Sequence, residues 1–140
     1  MSYLEKMFSI EGKTAVITGA KRGIGYAIAT AFQKAGANVI GVDKLPITDA
    51  PFTSYRCNIE DEEEISKFVK YCNDTCDTID ILVNNAGVGF GHKFLDYPLE
   101  DWETTYKVNL LAPFLLTQGL APLMIKNNKG SIINITSLNS

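Results

Sequence analysis

Three glycines near the N-terminus are spaced to hold a phosphate. Gly19, Gly23 and Gly25 follow the apolar stretch of residues 13–18, with Ala15, Val16 and Ile17 at its centre, and precede a helical pattern. Without side chains there, the backbone can turn tightly and approach a diphosphate. The free N–H groups of the helix starting near Ile24 would then face its oxygens. A glycine triplet alone is a weak signal, and the strand–turn–helix order gives it weight. Asp43 ends the next apolar run, 18 residues beyond Gly25. An acid at about this distance accepts hydrogen bonds from the ribose hydroxyls of an adenosine, and it repels a 2′-phosphate. It therefore favours NAD over NADP. Lys21, Arg22 and Lys44 argue the other way, since any of them could pair with that phosphate. The expectation of NAD rests on Asp43.

These residues need a scaffold, and the periodicity supplies one. Ile24, Ala27, Ile28, Ala31, Phe32 and Ala35 recur at three- and four-residue steps, which marks an amphipathic helix that Gly36 ends. Residues 38–43, with Val39, Ile40 and Val42, read as a second buried strand. Between Asp43 and a third strand at 54–57 stand Pro46 and Pro51, with no helical period. A loop is expected there, although a parallel crossover normally carries a helix. Residues 61–73 form a helix, with Ile65, Phe68, Val69 and Cys72 on one face and an acidic first turn. A strand follows at 79–83. Pro98 opens a long helix that runs to about Ile125; Gly130 breaks the pattern, and 131–135 is the last strand. Pro113 has no N–H to offer the carbonyl of Asn109, so the helix should bend there, and that carbonyl is expected to hold a water.

Strands with almost no polar alternation, separated by helices, imply a parallel sheet covered on both faces. The fold class is therefore α/β, a Rossmann-type doubly wound parallel sheet. About five strands are expected, in order 3-2-1-4-5 and incomplete, within one domain over residues 1–140.

Apolar residues make up 46% of the chain and charged residues 21%, which suits a globular core rather than disorder. The net charge of −3 has no basic block, so neither nucleic acid nor an anionic membrane is an expected partner. No uninterrupted apolar run reaches the roughly 18 residues of a membrane span. Three cysteines, Cys57, Cys72 and Cys76, with no basic-then-apolar leader, point to a reducing cytoplasm. Cys72 and Cys76 lie four apart on a helix, but His92 is the one histidine and no metal site is expected.

Four motifs in sequence then resemble the compact short-chain dehydrogenase/reductase family. Residues 18–25, Thr-Gly-Ala-Lys-Arg-Gly-Ile-Gly, match its Thr-Gly-x-x-x-Gly-x-Gly loop, and Asn84-Asn85-Ala86-Gly87 matches its Asn-Asn-Ala-Gly motif. Val108-Asn109-Leu110 and residues 131–137 match two further segments, so the resemblance covers nearly the whole chain from Gly12 onward. It implies an oxidoreductase that interconverts a secondary alcohol and a carbonyl by hydride transfer. Gly19, Arg22, Gly23, Ile24, Gly25, Asp43, Asn58, Ile59, Asn85, Ala86 and Gly87 would border the cofactor. Asn109 matches the catalytic Asn, and Ser137 the Ser that holds the reacting oxygen of the substrate. His92 and Phe94, in the loop after Gly87, could touch substrate or simply face solvent.

The sequence departs from the family in three places. The proton donor and its lysine, a Tyr-x-x-x-Lys pair that follows the Ser, do not occur before Ser140, and no tyrosine here has a lysine four residues later. The chain therefore reads as the N-terminal part of a longer single-domain enzyme, nearly inactive alone and homo-oligomeric when whole. Asn58 stands where many relatives carry an Asp that contacts the adenine, and the absent second crossover helix shortens that side of the pocket. Some relatives acting on small cyclic diols or sugar acids share this shortening. Two further readings remain beside the enzyme: a non-catalytic dinucleotide-binding or regulatory module, and a sugar-nucleotide epimerase or dehydratase. The second fits less well, because its Thr-Gly-x-x-Gly-x-x-Gly loop does not match the step from Gly19 to Gly23.

Overall fold

The computed structural model describes residues 1–137. Its strands are β1 (Thr14–Thr18), β2 (Asn38–Asp43), β3 (Thr53–Arg56), β4 (Ile81–Asn84) and β5 (Ser131–Asn134). The helices are α1 (Tyr3–Phe8), α2 (Gly23–Lys34), α3 (Glu62–Thr75), α4 (Leu99–Tyr106) and α5 (Ala112–Lys126). All strand pairs are parallel and the order is β3-β2-β1-β4-β5, as the sequence predicts.

The three central strands β1, β2 and β4 are dry on both sides, and their side chains alternate between two cores. Val16, Ile40, Val42 and Leu82 meet Phe68 of α3 and Leu116 and Leu120 of α5. Ala15, Ile17, Val39, Ile81 and Val83 meet Ala29 and Phe32 of α2. These central strands read as apolar runs because both of their faces are covered.

The predicted loop between β2 and β3 is present, and three of its residues do what a helix would have done. Phe52 is 7% exposed and fills the space over Gly41, where an added Cβ would lie 2.4 Å from its ring. Tyr26 of α2 meets the same ring edge-on, at 6.0 Å between centroids. Ile47 and Ala50 pack against that core as well.

Two elements differ from the expectation. The N-terminal residues, for which no element is named above, form α1 through a capping box: Ser2 Oγ accepts from the Glu5 N–H, and Glu5 returns a bond to the Ser2 N–H. Those bonds hold the Glu5 carboxyl below its usual range. No residue of α1 is buried. The long helix, predicted to bend at Pro113, continues through a wide turn at Lys107–Leu111, where the Ala112 N–H reaches the Lys107 carbonyl five residues back. Such π turns accommodate an extra residue and often occur at functional sites. The helix over Leu99–Lys126 contains an 18-residue window with a mean hydropathy of 1.6, long and apolar enough by composition to cross a membrane. Ala112, Leu116 and Leu120 are fully buried in the sheet's core, whereas Leu110, Phe114 and Ile125 on the same helix are exposed.

At the sheet's edge, β5 is exposed along its length, and Ile132, Ile133 and Ile135 are each 40% exposed. Cys57 and Cys72 are buried, which pushes both thiols up to about 12. Among the described residues no group of three or more His, Cys, Asp or Glu could hold a metal ion.

Two outcomes follow. Phe52→Ala should cost about 3–4 kcal/mol through the void over Gly41, and a loss of less than about 1 kcal/mol in urea denaturation would show that the loop does not plug the core. The folded thiols bind their protons more tightly than unfolded ones at the ordinary 9.0. Their contribution to stability is therefore intact below about pH 9 and lost as the pH rises toward 12. Denaturation at pH 8 and pH 10.5 should show a smaller alkaline loss in Cys72→Ala than in the parent protein.

Candidate functional site

The carboxyl ends of β1 and β4 are joined through one hydroxyl. Thr18 is 2% exposed, and its Oγ1 accepts the N–H groups of both Asn85 and Ala86, each at 3.0 Å. The Asn85 amide returns bonds to the Thr18 and Gly19 carbonyls, at 3.1 and 3.4 Å. This closeness needs Gly25 at the start of α2. A Cβ there would lie 2.1 Å from the Gly19 oxygen and 2.5 Å from Asn85 Nδ2. Gly19 and Gly23 both have positive φ, +66° and +61°, which other residues rarely adopt.

The start of α2 is left open. Arg22 is its N-cap but makes no side-chain capping bond, and the first turn holds no acidic residue. The first backbone N–H groups of a helix have no partner within it. The N-terminus of α3 differs, because Asp61 accepts from the N–H groups of Glu63 and Glu64.

A cleft of about 300 Å³ opens beside this joint. Among the residues predicted to border a cofactor, Gly19, Arg22, Asp43, Asn58, Ile59, Asn85, Ala86 and Gly87 line it. Gly23, Ile24 and Gly25 do not line it and follow Arg22 in the first turn of α2. A larger hollow of 730 Å³ touches Thr14, Asn38 and Thr53, the first residues of their strands. In open α/β sheets ligands bind outside the carboxyl ends of the strands, so the smaller cleft is the candidate.

Both oxygens of Asp43 are held by backbone donors. Oδ2 accepts from the Lys21 N–H at 3.2 Å and Oδ1 from the Leu45 N–H at 3.1 Å. Each oxygen keeps a lone pair for a further donor. Asn58 turns its Oδ1 inward to the Glu60 N–H at 3.1 Å, which engages that oxygen in a local turn.

Asn109 does not line the cleft; it clamps the chain that does. Its Oδ1 accepts from the Val88 N–H at 2.9 Å, and its Nδ2 donates to the Val88 carbonyl at 2.8 Å. The loop after β4 is held further along by His92 Nε2, 2.6 Å from Asp101 Oδ2 on α4, with Tyr97 edge-on to the imidazole. Ser137 is exposed, three residues beyond β5, and does not line the cleft.

Sequence reasoning missed Val88, Thr104 and Val108, which also line the cleft, and Glu60, whose Oε1 accepts from Thr104 Oγ1 at 3.0 Å. The step of four from Thr104 to Val108 places both on one helical face and was a readable signal. Nothing in the sequence marks Glu60.

The model of the short chain dehydrogenase family matches residues 13–140. The chain belongs to the short-chain dehydrogenase family. It is 39% identical to the 2-dehydro-3-deoxy-D-gluconate 5-dehydrogenase of Bacillus subtilis (strain 168), over 99% of this chain and 58% of that protein. It is equally 39% identical to the 7alpha-hydroxysteroid dehydrogenase of Escherichia coli (strain K12), over 92% of this chain and 54% of that one. A crystal structure of a metagenomic short-chain oxidoreductase in complex with NADP superposes with a TM-score of 0.86 at 36% identity, covering 93% of this chain and 64% of that one. The chain thus spans about half the length of the curated relatives it matches.

Thr18→Val keeps the side chain's shape and leaves two backbone N–H groups without an acceptor. It should lower stability by about 2 kcal/mol, while Thr18→Ser stays near the parent. Thermal melting of the pair tests this, and equal melting of all three proteins would remove the hydroxyl from its joining role.

Proposed function

We infer that this chain is the nucleotide-binding part of an NAD-dependent oxidoreductase that interconverts a secondary alcohol and a carbonyl. The observation that carries the reading is the cleft itself. The uncapped start of α2 adjoins one part of it, and an ordered carboxylate, Asp43, stands on its wall. The absent side chains at Gly19 and Gly25 let the glycine loop pack directly against Asn85 and Ala86 beside this cleft. An anion suits the helix start and a neutral ribose suits Asp43, a pairing that a nicotinamide dinucleotide provides.

When bound, the dinucleotide supplies the hydride acceptor or donor. The chain's own residues bind and orient. The N–H groups of Gly23, Ile24 and Gly25 take the diphosphate, and Asp43 takes the adenosine ribose. Asn58 and Ile59 border the base, and Asn85, Ala86 and Gly87 border the nicotinamide half. Ser137 holds the substrate's reacting oxygen. Asn109 acts as a positioning residue, because its amide fixes Val88 directly after Gly87. The related crystal structure holds NADP; the preference for NAD rests on Asp43, whose charge opposes a 2′-phosphate.

The test is a titration of NAD and NADP against the parent protein and Asp43→Ala. The parent should prefer NAD, and the variant should bind NAD about 10- to 100-fold more weakly, the worth of hydrogen bonds to a charged acceptor. A parent protein that prefers NADP would overturn the assignment to NAD.

A further inference from the structure

Lys21 stands within the glycine loop, where a cation is readily assigned to a phosphate. Its ammonium is directed elsewhere. Nζ donates to the carbonyl of Pro46 at 2.8 Å, across 25 positions of sequence. The same residue's backbone N–H holds Asp43 Oδ2, while Asp43 Oδ1 holds the Leu45 N–H. One residue of the glycine loop is therefore bonded to both the acid and the loop that follows it.

That loop has little else at its outer end. No helix stands between β2 and β3. Its far half is anchored by buried Phe52 and by Ser54 Oγ donating to the Ile47 carbonyl at 3.3 Å. Its near half, Lys44 and Leu45, forms a wall of the cleft. The Lys21–Pro46 bond ties that wall to the glycine loop. Arg22 and Lys44 line the same wall and have no ion-pair partner among the described residues. Lys21 lines the cleft with them, but one of its three ammonium donors is already engaged by Pro46.

The geometry points to Lys21 as a positioning residue that closes the β2–β3 loop against the glycine turn and fixes Asp43 for an unmodified ribose. The inference rests on the reading above that this cleft takes a nicotinamide dinucleotide. A 2′-phosphate that drew Lys21 away from Pro46 would loosen the wall it binds against. Selectivity would then reside in the tether as well as in the charge of Asp43.

Two measurements on the whole protein test this, with Lys21→Met and Lys21→Arg as variants. Amide exchange of residues 45–50 is read without dinucleotide. Lys21→Met should speed it about two- to fivefold, the worth of an exposed charged bond, and Lys21→Arg should restore protection. Unchanged exchange in Lys21→Met overturns the tether. Binding of NAD and of NADP is read separately. Lys21→Met should weaken NAD by a similar factor and NADP by no more than that, with Lys21→Arg near the parent. A loss confined to NADP identifies Lys21 as a phosphate ligand and overturns the proposal. If the parent takes neither dinucleotide, the cleft reading fails and the selectivity role with it, while the exchange result still decides the tether.

Discussion

The site depends on how closely the ends of β1 and β4 approach at a single hydroxyl. Thr18 Oγ1 collects two backbone N–H groups from the turn after β4, and Asn85 answers with its amide to the carbonyls of Thr18 and Gly19. All of these groups lie where the sheet stops and water has little access, so leaving any of them unpaired is costly. The bonds fit only because Gly25 presents no Cβ to the Gly19 oxygen. A rigid seam results, with the glycine loop on one side and the Asn-Asn-Ala-Gly turn on the other. Asn109 extends it by one residue, clamping Val88 from the long helix.

Outward from the seam, restraint decreases. Asp43 is fixed by two backbone donors, Asn58 by one local turn, and the loop after β4 by the His92–Asp101 contact at the surface. The floor of the cleft is therefore set by buried bonds and its walls by exposed ones. Exposed polar contacts are individually worth little, so the walls are the part of the site that a partner molecule can most easily adjust.

Much of this was legible in the sequence because it follows from local pattern. The alternation of Ala15 and Ile17 against Val16 cannot be seen as alternation, yet an unbroken apolar run is what two covered faces require. The strand order and the loop after Asp43 were readable for the same reason, from helical period or its absence. Pro46 and Pro51 removed the helix, but nothing local said that Phe52 would fill the gap over Gly41, a contact between separate strand neighbours. The capping box of α1 was readable from Ser2 and Glu5 and went unread. Pro113 signalled an interruption, whereas the wide turn that absorbs it depends on packing on both sides. Glu60 and Thr104, 44 residues apart, carry no mark in sequence at all.

The wide turn at Lys107–Leu111 also acts as a phase correction. Val108, Ala112, Leu116 and Leu120 are all buried, at steps of four. In an α-helix four residues overshoot one turn by about 40°, so such a series should wind off the sheet within a few steps. A turn wound with one extra residue takes up much of one overshoot, and the series stays in register with the core. At the helix's end both Leu123 and Met124 are buried, three and four residues beyond Leu120. Asn109 lies inside the corrected turn, so the geometry that aims its amide at Val88 and the geometry that seats α5 on the sheet are set by the same few peptide units. Neither can drift without the other.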